Sequence, residues 1–178
     1  GYAAILLSEK LGQIPEAVKE RLDKINRHSD ELTHLVNDLL DIARIESGKI
    51  IMKQETQDLK DIVEVISDLL SEQLKAKDIK LDIRIPKDAS LIKADRSQIE
   101  RVFINLMGNA IKFTPTKGNI KIGASSEDGF IRIDVSDTGI GIPEDAVNAI
   151  FDEFYRVDNP INQQVKGTGL GLSLVKHI

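Results

Sequence analysis

The chain has 178 residues, 24 basic and 29 acidic side chains and a formal net charge of −5, which allows one full domain or one plus a piece of another. The acidic balance argues against nucleic acid as a partner, the lack of Cys excludes disulfides and thiolate sites, and three His without HExxH spacing give zinc little support. No apolar run approaches the ~18 residues that cross a bilayer. The first residue is Gly1 rather than Met, so a piece of a longer protein is expected, itself cytoplasmic, with any membrane attachment carried by segments outside it.

Residues 1–11 read as the end of a helix, closed by Gly12 with Pro15 just beyond. From Pro15 to about Ser47 one long helix is expected. Val18, Leu22, Ile25, Ser29, Leu32, Val36, Leu39 and Ala43 recur at alternating spacings of four and three, a heptad seam that Leu35 and Ile42 widen. A helix of ~30 residues spans ~45 Å, more than the short remnant before it can cover. Two readings stay open: an amphipathic helix lying across a globular domain, or a hairpin that pairs with a second copy into a four-helix bundle. The length of the seam favours the second.

Ser47-Gly48 ends that helix, and the composition changes. Residues 49–56 read as a short strand, 59–77 as one amphipathic helix, and 80–85 as a strand stopped by Pro86. A further helix runs from Arg96 to about Phe113. Residues 119–126 and 130–136 alternate on either side of Glu127-Asp128-Gly129, a hairpin signal. The order implies an α+β class, a helical hairpin over 1–47 followed over 48–178 by an α/β sandwich whose sheet carries helices on one face.

The helix from Arg96 has an apolar stripe of Ile99, Phe103, Leu106, Ala110 and Phe113, expected to face the sheet. Asn105, Asn109 and Lys112 fall on a different face at i, i+4 and i+7. Asn inside a helix is a propensity loss of about half a kcal/mol relative to Ala. Two of them beside a Lys read either as a solvated face or as oxygen ligands and one cation for magnesium-bound polyphosphate. Asp137-Thr138-Gly139-Ile140-Gly141-Ile142-Pro143 reads either as a turn and bulge or as a carboxylate that accepts from an exocyclic amino group, with glycines letting backbone pass under a planar ligand. Gly167-Thr168-Gly169-Leu170-Gly171-Leu172 opens a helix, where free N–H groups suit phosphate. Its G-x-G-x-G spacing is not the dinucleotide fingerprint, and no G-x-x-x-x-G-K-[ST] loop occurs.

NLMGNAIKFTP, DTGIGIP, FDEFYRVD and GTGLGLSLVKHI, in this order, resemble the four boxes of the sensor histidine kinase ATP-binding domain, of the superfamily shared with gyrase and heat-shock chaperone ATPases. The match covers roughly residues 48–178, and the preceding helix resembles the second helix of the family's dimerisation and phosphotransfer hairpin. The resemblance implies ATP and magnesium as cofactors. Asn109 would be the principal magnesium ligand with Asn105 beside it, Lys112 would meet the phosphates and Asp137 the adenine amino group, and Gly139 and Gly141 would permit close approach. Arg156 would reach the γ-phosphate, Gly167, Thr168, Gly169, Leu170 and Gly171 would line the triphosphate, and Asp158–Lys166 would form a lid. Phe151, Phe154 and Tyr155 would pack at the lid's base.

ATP-hydrolysing relatives carry a Glu where this chain has Asn105. A neutral amide takes no proton from water, so ATP would be held until another nucleophile arrives. That nucleophile, a His on the hairpin's first helix, would lie about three helical turns before Gly1. His28 and His34 lack its flanking residues, and His177 reads as structural. The family also continues past KHI, so an open sheet edge is expected here. The implied partners are a second copy through the hairpin and a response-regulator receiver domain. An ATP-gated dimeric ATPase or a serine kinase of the same superfamily is the alternative.

Overall fold

The computed structural model describes residues 2–10, 12–48, 52–158 and 167–178, in two compact units, 1–43 and 44–178. The first unit contains helix α1 (Tyr2–Leu7) and most of helix α2 (Glu16–Glu46). Helix α1 stops sooner than the sequence suggested. Residues 8–10 are already turn, with Glu9 at φ 54° and Gly12 at φ 126°. The turn is tied to α2 by Lys19, whose Nζ lies 2.8 Å from Glu9 Oε1 and 3.8 Å from Glu16 Oε2. Along α2, Val18, Ile25, Leu32 and Val36 of the heptad seam are exposed, Ile25 at 58% and Leu32 at 61%. A single chain therefore leaves its seam uncovered.

In the second unit the end of α2 is followed by strand β1 (Glu55–Asp58), which pairs antiparallel with β3 (Leu91–Ala94). Of the short strand expected over 49–56, residues 49–51 lie outside the described residues and 52–54 are irregular. Asp58 caps helix α3 (Leu59–Leu69) by accepting from the Lys60 N–H at 2.8 Å. Leu59, Ile62, Val63 and Ile66, spaced as one helical face, are all buried. The single helix expected over 59–77 is interrupted at Leu70, after which α4 (Ser71–Ala76) follows. The bonds from Leu70 N–H to Ile66 and from Leu74 N–H to Leu70 continue across the break, so it is a local distortion with no Gly or Pro to announce it.

A mixed sheet orders its strands β2 (Lys80–Arg84), β4 (Asn119–Glu127) and β5 (Phe130–Asp137). Strands β2 and β4 are parallel, with Lys80 opposite Asn119. Strands β4 and β5 form the expected hairpin, with Glu127 opposite Phe130. Asp128 and Gly129 turn it with φ 48° and 85°, the positive pair that a two-residue hairpin loop requires. Helix α5 (Arg96–Phe113) lies between β3 and β4 in the chain, and helix α6 (Gly171–His177) closes it. One core joins α3, α5 and the apolar sheet face: Ile62 and Ile66, Phe103 and Met107, Ile120 and Ile122. Helices thus cover one face, as expected, while Asp82, Lys121 and Arg132 alternate to the other.

The core face of α5 is rotated from the expected stripe. Phe103 and Ala110 are buried as foreseen, but Met107 and Ile111 complete the face, while Leu106 and Phe113 are only half-buried.

Candidate functional site

Helix α5 is fixed at its start by Asp95, whose Oδ1 accepts from the N–H of Ser97 (3.0 Å) and Gln98 (3.3 Å) and from the Ser97 hydroxyl (2.7 Å). Its Oδ2 accepts from the Lys53 N–H at 3.0 Å. The helix stops at Phe113 because Thr114 precedes Pro115 and turns extended. Between these ends Asn105, Asn109 and Lys112 are each half-buried. The Asn105 amide donates from Nδ2 to the Arg101 carbonyl at 2.9 Å. Its Oδ1 lies 2.5 Å from where a Cβ on Gly171 would sit.

Lys112 points along the same helix end. Its Nζ lies 5.1 Å from the centroid of the Phe113 ring and 2.5 Å from the position of a Cβ on Gly167. Burial, and then the nearby Arg156 guanidinium, holds the ammonium's pKa below the ordinary lysine value. Arg156 Nη1 in turn donates to the Gly167 carbonyl at 3.2 Å. Two cations therefore converge on the residue that opens the glycine-rich turn, a charge arrangement that favours an anion.

Asp137 ends β5 with an exposed carboxylate whose Oδ1 accepts from the Gly139 N–H at 2.7 Å, which fixes its orientation. A Cβ on Gly139 would fall 2.9 Å from the Phe113 carbonyl oxygen, so this glycine is needed for the loop to pass the end of α5. Gly141 has φ 72° in open space. In the second glycine box the Thr168 hydroxyl accepts from the Leu170 N–H at 3.3 Å. Leu170 itself is fully buried. Gly169, at φ 78°, packs on the backbone of Phe154, whose N–H donates to the Gly169 carbonyl at 3.1 Å.

The structure thus brings Asn105, Lys112, Arg156, Gly167 and Gly171 together, and brings Gly139 to the end of α5. Phe151, Phe154 and Tyr155 are exposed rather than packed away. Of the lid, residues 159–166 lie outside the described residues. Thr138, to which the sequence assigns no role of its own, clamps the loop: its hydroxyl accepts from the Asn119 N–H at 2.9 Å and its N–H donates to the Asn119 carbonyl at 3.0 Å. A hydroxyl between the Asp and Gly of DTG was the available signal. Among the described residues no group of three or more His, Asp or Glu is placed to hold a metal.

The sequence profile described as "Histidine kinase-, DNA gyrase B-, and HSP90-like ATPase" matches residues 94–178, and that of the "His Kinase A (phospho-acceptor) domain" matches residues 1–48. The nucleotide-free catalytic domain of histidine kinase ThkA is 30% identical, with a TM-score of 0.62 over 70% of this chain and 78% of that one. The chain belongs to the sensor histidine kinases. It is a histidine kinase core, an ATPase-type domain preceded by a phosphoacceptor-domain segment. An uncharacterised sensor-like histidine kinase of Rhizobium meliloti is 33% identical across 99% of this chain and 34% of its own length. Full-length ShkA in complex with AMPPNP superposes with a TM-score of 0.80 at 28% identity, covering 98% of this chain and 36% of that one. ThkA has also been solved in complex with the response regulator protein TrrA (TM-score 0.66, 26% identity, 85% of this chain and 44% of that one). The chain spans about a third or less of the length of the curated relatives it matches, 34% of one and 22% of another. No described helix is long and apolar enough to cross a membrane.

Proposed function

We propose that residues 48–178 bind magnesium and ATP, and that the parent protein transfers the γ-phosphoryl group to a His outside this chain for relay to a response-regulator Asp. The observation that carries this reading is the convergence of Lys112 and Arg156 on Gly167, at the start of the glycine-rich turn, where two cations favour an anion. Asp137, held by the Gly139 N–H, is the acceptor for the adenine amino group.

The donor set suits magnesium. Asn109, with Asn105 one turn earlier, would hold the ion through the neutral hard oxygens that magnesium accepts. When bound, the cation offsets charge on the phosphate oxygens. Asn105 supplies no base, and its Nδ2 is already committed to Arg101, so water is not activated from this face of α5. The protein's own part is to hold and orient the triphosphate until the acceptor His is presented.

The parent acts as a dimer through residues 1–47, a role supported by the exposed seam of Val18, Ile25, Leu32 and Val36. A receiver domain is the onward partner, as the ThkA–TrrA complex suggests by analogy. His28 and His34 are not the acceptor. His28 is an exposed residue whose Nδ1 pairs with Glu31 at 3.1 Å. The chain works in the cytoplasm. Titration of the chain with AMPPNP and Mg²⁺ tests the site: binding is expected in the unaltered chain and none in folded Asn109→Ala. Equal affinity in the two would remove the magnesium role, and no binding in either would overturn the function.

A further inference from the structure

Helix α5 ends under a constraint that its own sequence imposes. Within an α-helix the carbonyl of residue i is bonded by the N–H of residue i+4. For Ile111 that residue is Pro115, which has no N–H. The Thr114 N–H reaches only the Ala110 carbonyl, at 2.9 Å. The last carbonyls of the helix therefore need donors from elsewhere.

One side chain supplies them. Lys77, from the end of α4, donates through Nζ to the carbonyls of Ile111 at 2.8 Å, Lys112 at 2.9 Å and Thr114 at 3.0 Å. An ammonium has three N–H donors, so these carbonyls use all of them. Its charge also sits at the negative end of the helix dipole. The main chain closes the clasp: the Lys117 N–H donates to the Lys77 carbonyl at 2.8 Å and the Lys80 N–H to the Gly118 carbonyl at 3.0 Å. The clasped turn is the one that bears Lys112, with Asn109 just before it. It also holds the Phe113 carbonyl against which Gly139 packs.

We propose that Lys77 is a positioning residue for the nucleotide site: by tying off the last turn of α5 it fixes Asn109 and Lys112 relative to the loop that follows Asp137. The inference rests on the function proposed above. It assigns Lys77, which lies on neither the glycine turn nor the strand that ends in Asp137, a part in affinity for nucleotide.

The test compares the unaltered chain with Lys77→Met and Lys77→Arg by titration with AMPPNP and Mg²⁺ and by amide hydrogen exchange without nucleotide, well below the melting midpoint. In Lys77→Met, affinity is expected to fall about tenfold, roughly the worth of one hydrogen bond to a charged group. Exchange should quicken at residues 112–114 but not at Ile62–Ile66 of α3, and Lys77→Arg should recover most of the affinity. If Lys77→Met does not fold, Lys77→Gln, which keeps two donors without the charge, replaces it with the same expected pattern. Unchanged affinity in the variant beside normal binding by the unaltered chain overturns the role of Lys77 alone. Exchange that quickens evenly through the whole unit also overturns it, because Lys77 would then be a general stabiliser. An unaltered chain that takes no nucleotide overturns the function and this role with it.

Discussion

The Phe154 N–H donates to the Gly169 carbonyl at 3.1 Å, and a Cβ on Gly169 would fall 2.7 Å from the Phe154 carbonyl carbon. Both residues hold positive φ, 62° and 78°, so two left-handed turns are fastened to each other across the segment 155–168. Gly169→Ala places a side chain into backbone that cannot swing aside, in a conformation that costs a non-glycine residue about 1–3 kcal/mol. The expected outcome is local: a melting midpoint lowered by a few degrees and nucleotide affinity reduced at least tenfold, of the order of the strain at this turn. Calorimetric titration and a thermal melt check it, and unchanged affinity would show that the turn tolerates the side chain.

Lys112 makes stability depend on pH in a specific direction. Burial, reinforced by Arg156, lowers its pKa in the folded chain. In the alkaline window below the ordinary lysine value the folded chain therefore binds fewer protons than the unfolded one, and this group's contribution makes stability rise as pH climbs through that window. Phosphate beside the ammonium favours the charged form, so nucleotide binding should take up protons there and weaken with rising pH. Lys112→Met should flatten both trends. Melts and titrations across the alkaline range measure them, and a slope that survives the substitution would place its origin elsewhere.

Asp95 fastens the start of the same helix. Asp95→Ala removes an N-cap and the acceptor for the Lys53 N–H, and the cap by itself is worth about 1 kcal/mol. Asp95→Asn, still a good cap, should lose less. The Ser97 hydroxyl, followed by the Lys53 N–H, holds the Asp95 carboxyl below the ordinary range. Its contribution is therefore present above the unfolded carboxyl pKa and fades as pH falls through the lower folded value. Urea unfolding of the three proteins, at neutral pH and in acid, reads both effects.

Incubation with γ-labelled ATP should leave the nucleotide bound and unhydrolysed, with no label on protein. The helical α2 histidines, His28 and His34, are exposed and outside any acceptor motif. Label on either would overturn their exclusion. Steady release of phosphate would show that some group other than Asn105 activates water, and would return the chain to the hydrolysing branch of its superfamily.

The local patterns were legible without a structure. The seam of α2, the face of α3 and the hairpin turned by Asp128-Gly129 are all written in spacings shorter than two helical turns, where side-chain period and backbone geometry are the same information, and the four motifs are read from residue identity and order. Strand β3 was not foreseen, because Leu91–Ala94 carries no turn signals of its own and exists by pairing with β1, more than 30 residues earlier. The kink at Leu70 has no Gly or Pro to mark it. The rotation of α5 onto Met107 and Ile111, and the burial of Leu170, depend on which neighbours cover each helix.

The amino-acid sequence by itself determined the family, the chemical types gathered for nucleotide and the lack of a general base at Asn105, because these are properties of residue identity and short-range order. Only the tertiary structure decided that Lys112 and Arg156 meet at Gly167, that Gly139 passes the end of α5, and that Lys77 serves the donor-less carbonyls left by Pro115. Those contacts join residues 11 to 55 positions apart. The chain specifies them through the packing of a whole core, and no short window of sequence contains both partners.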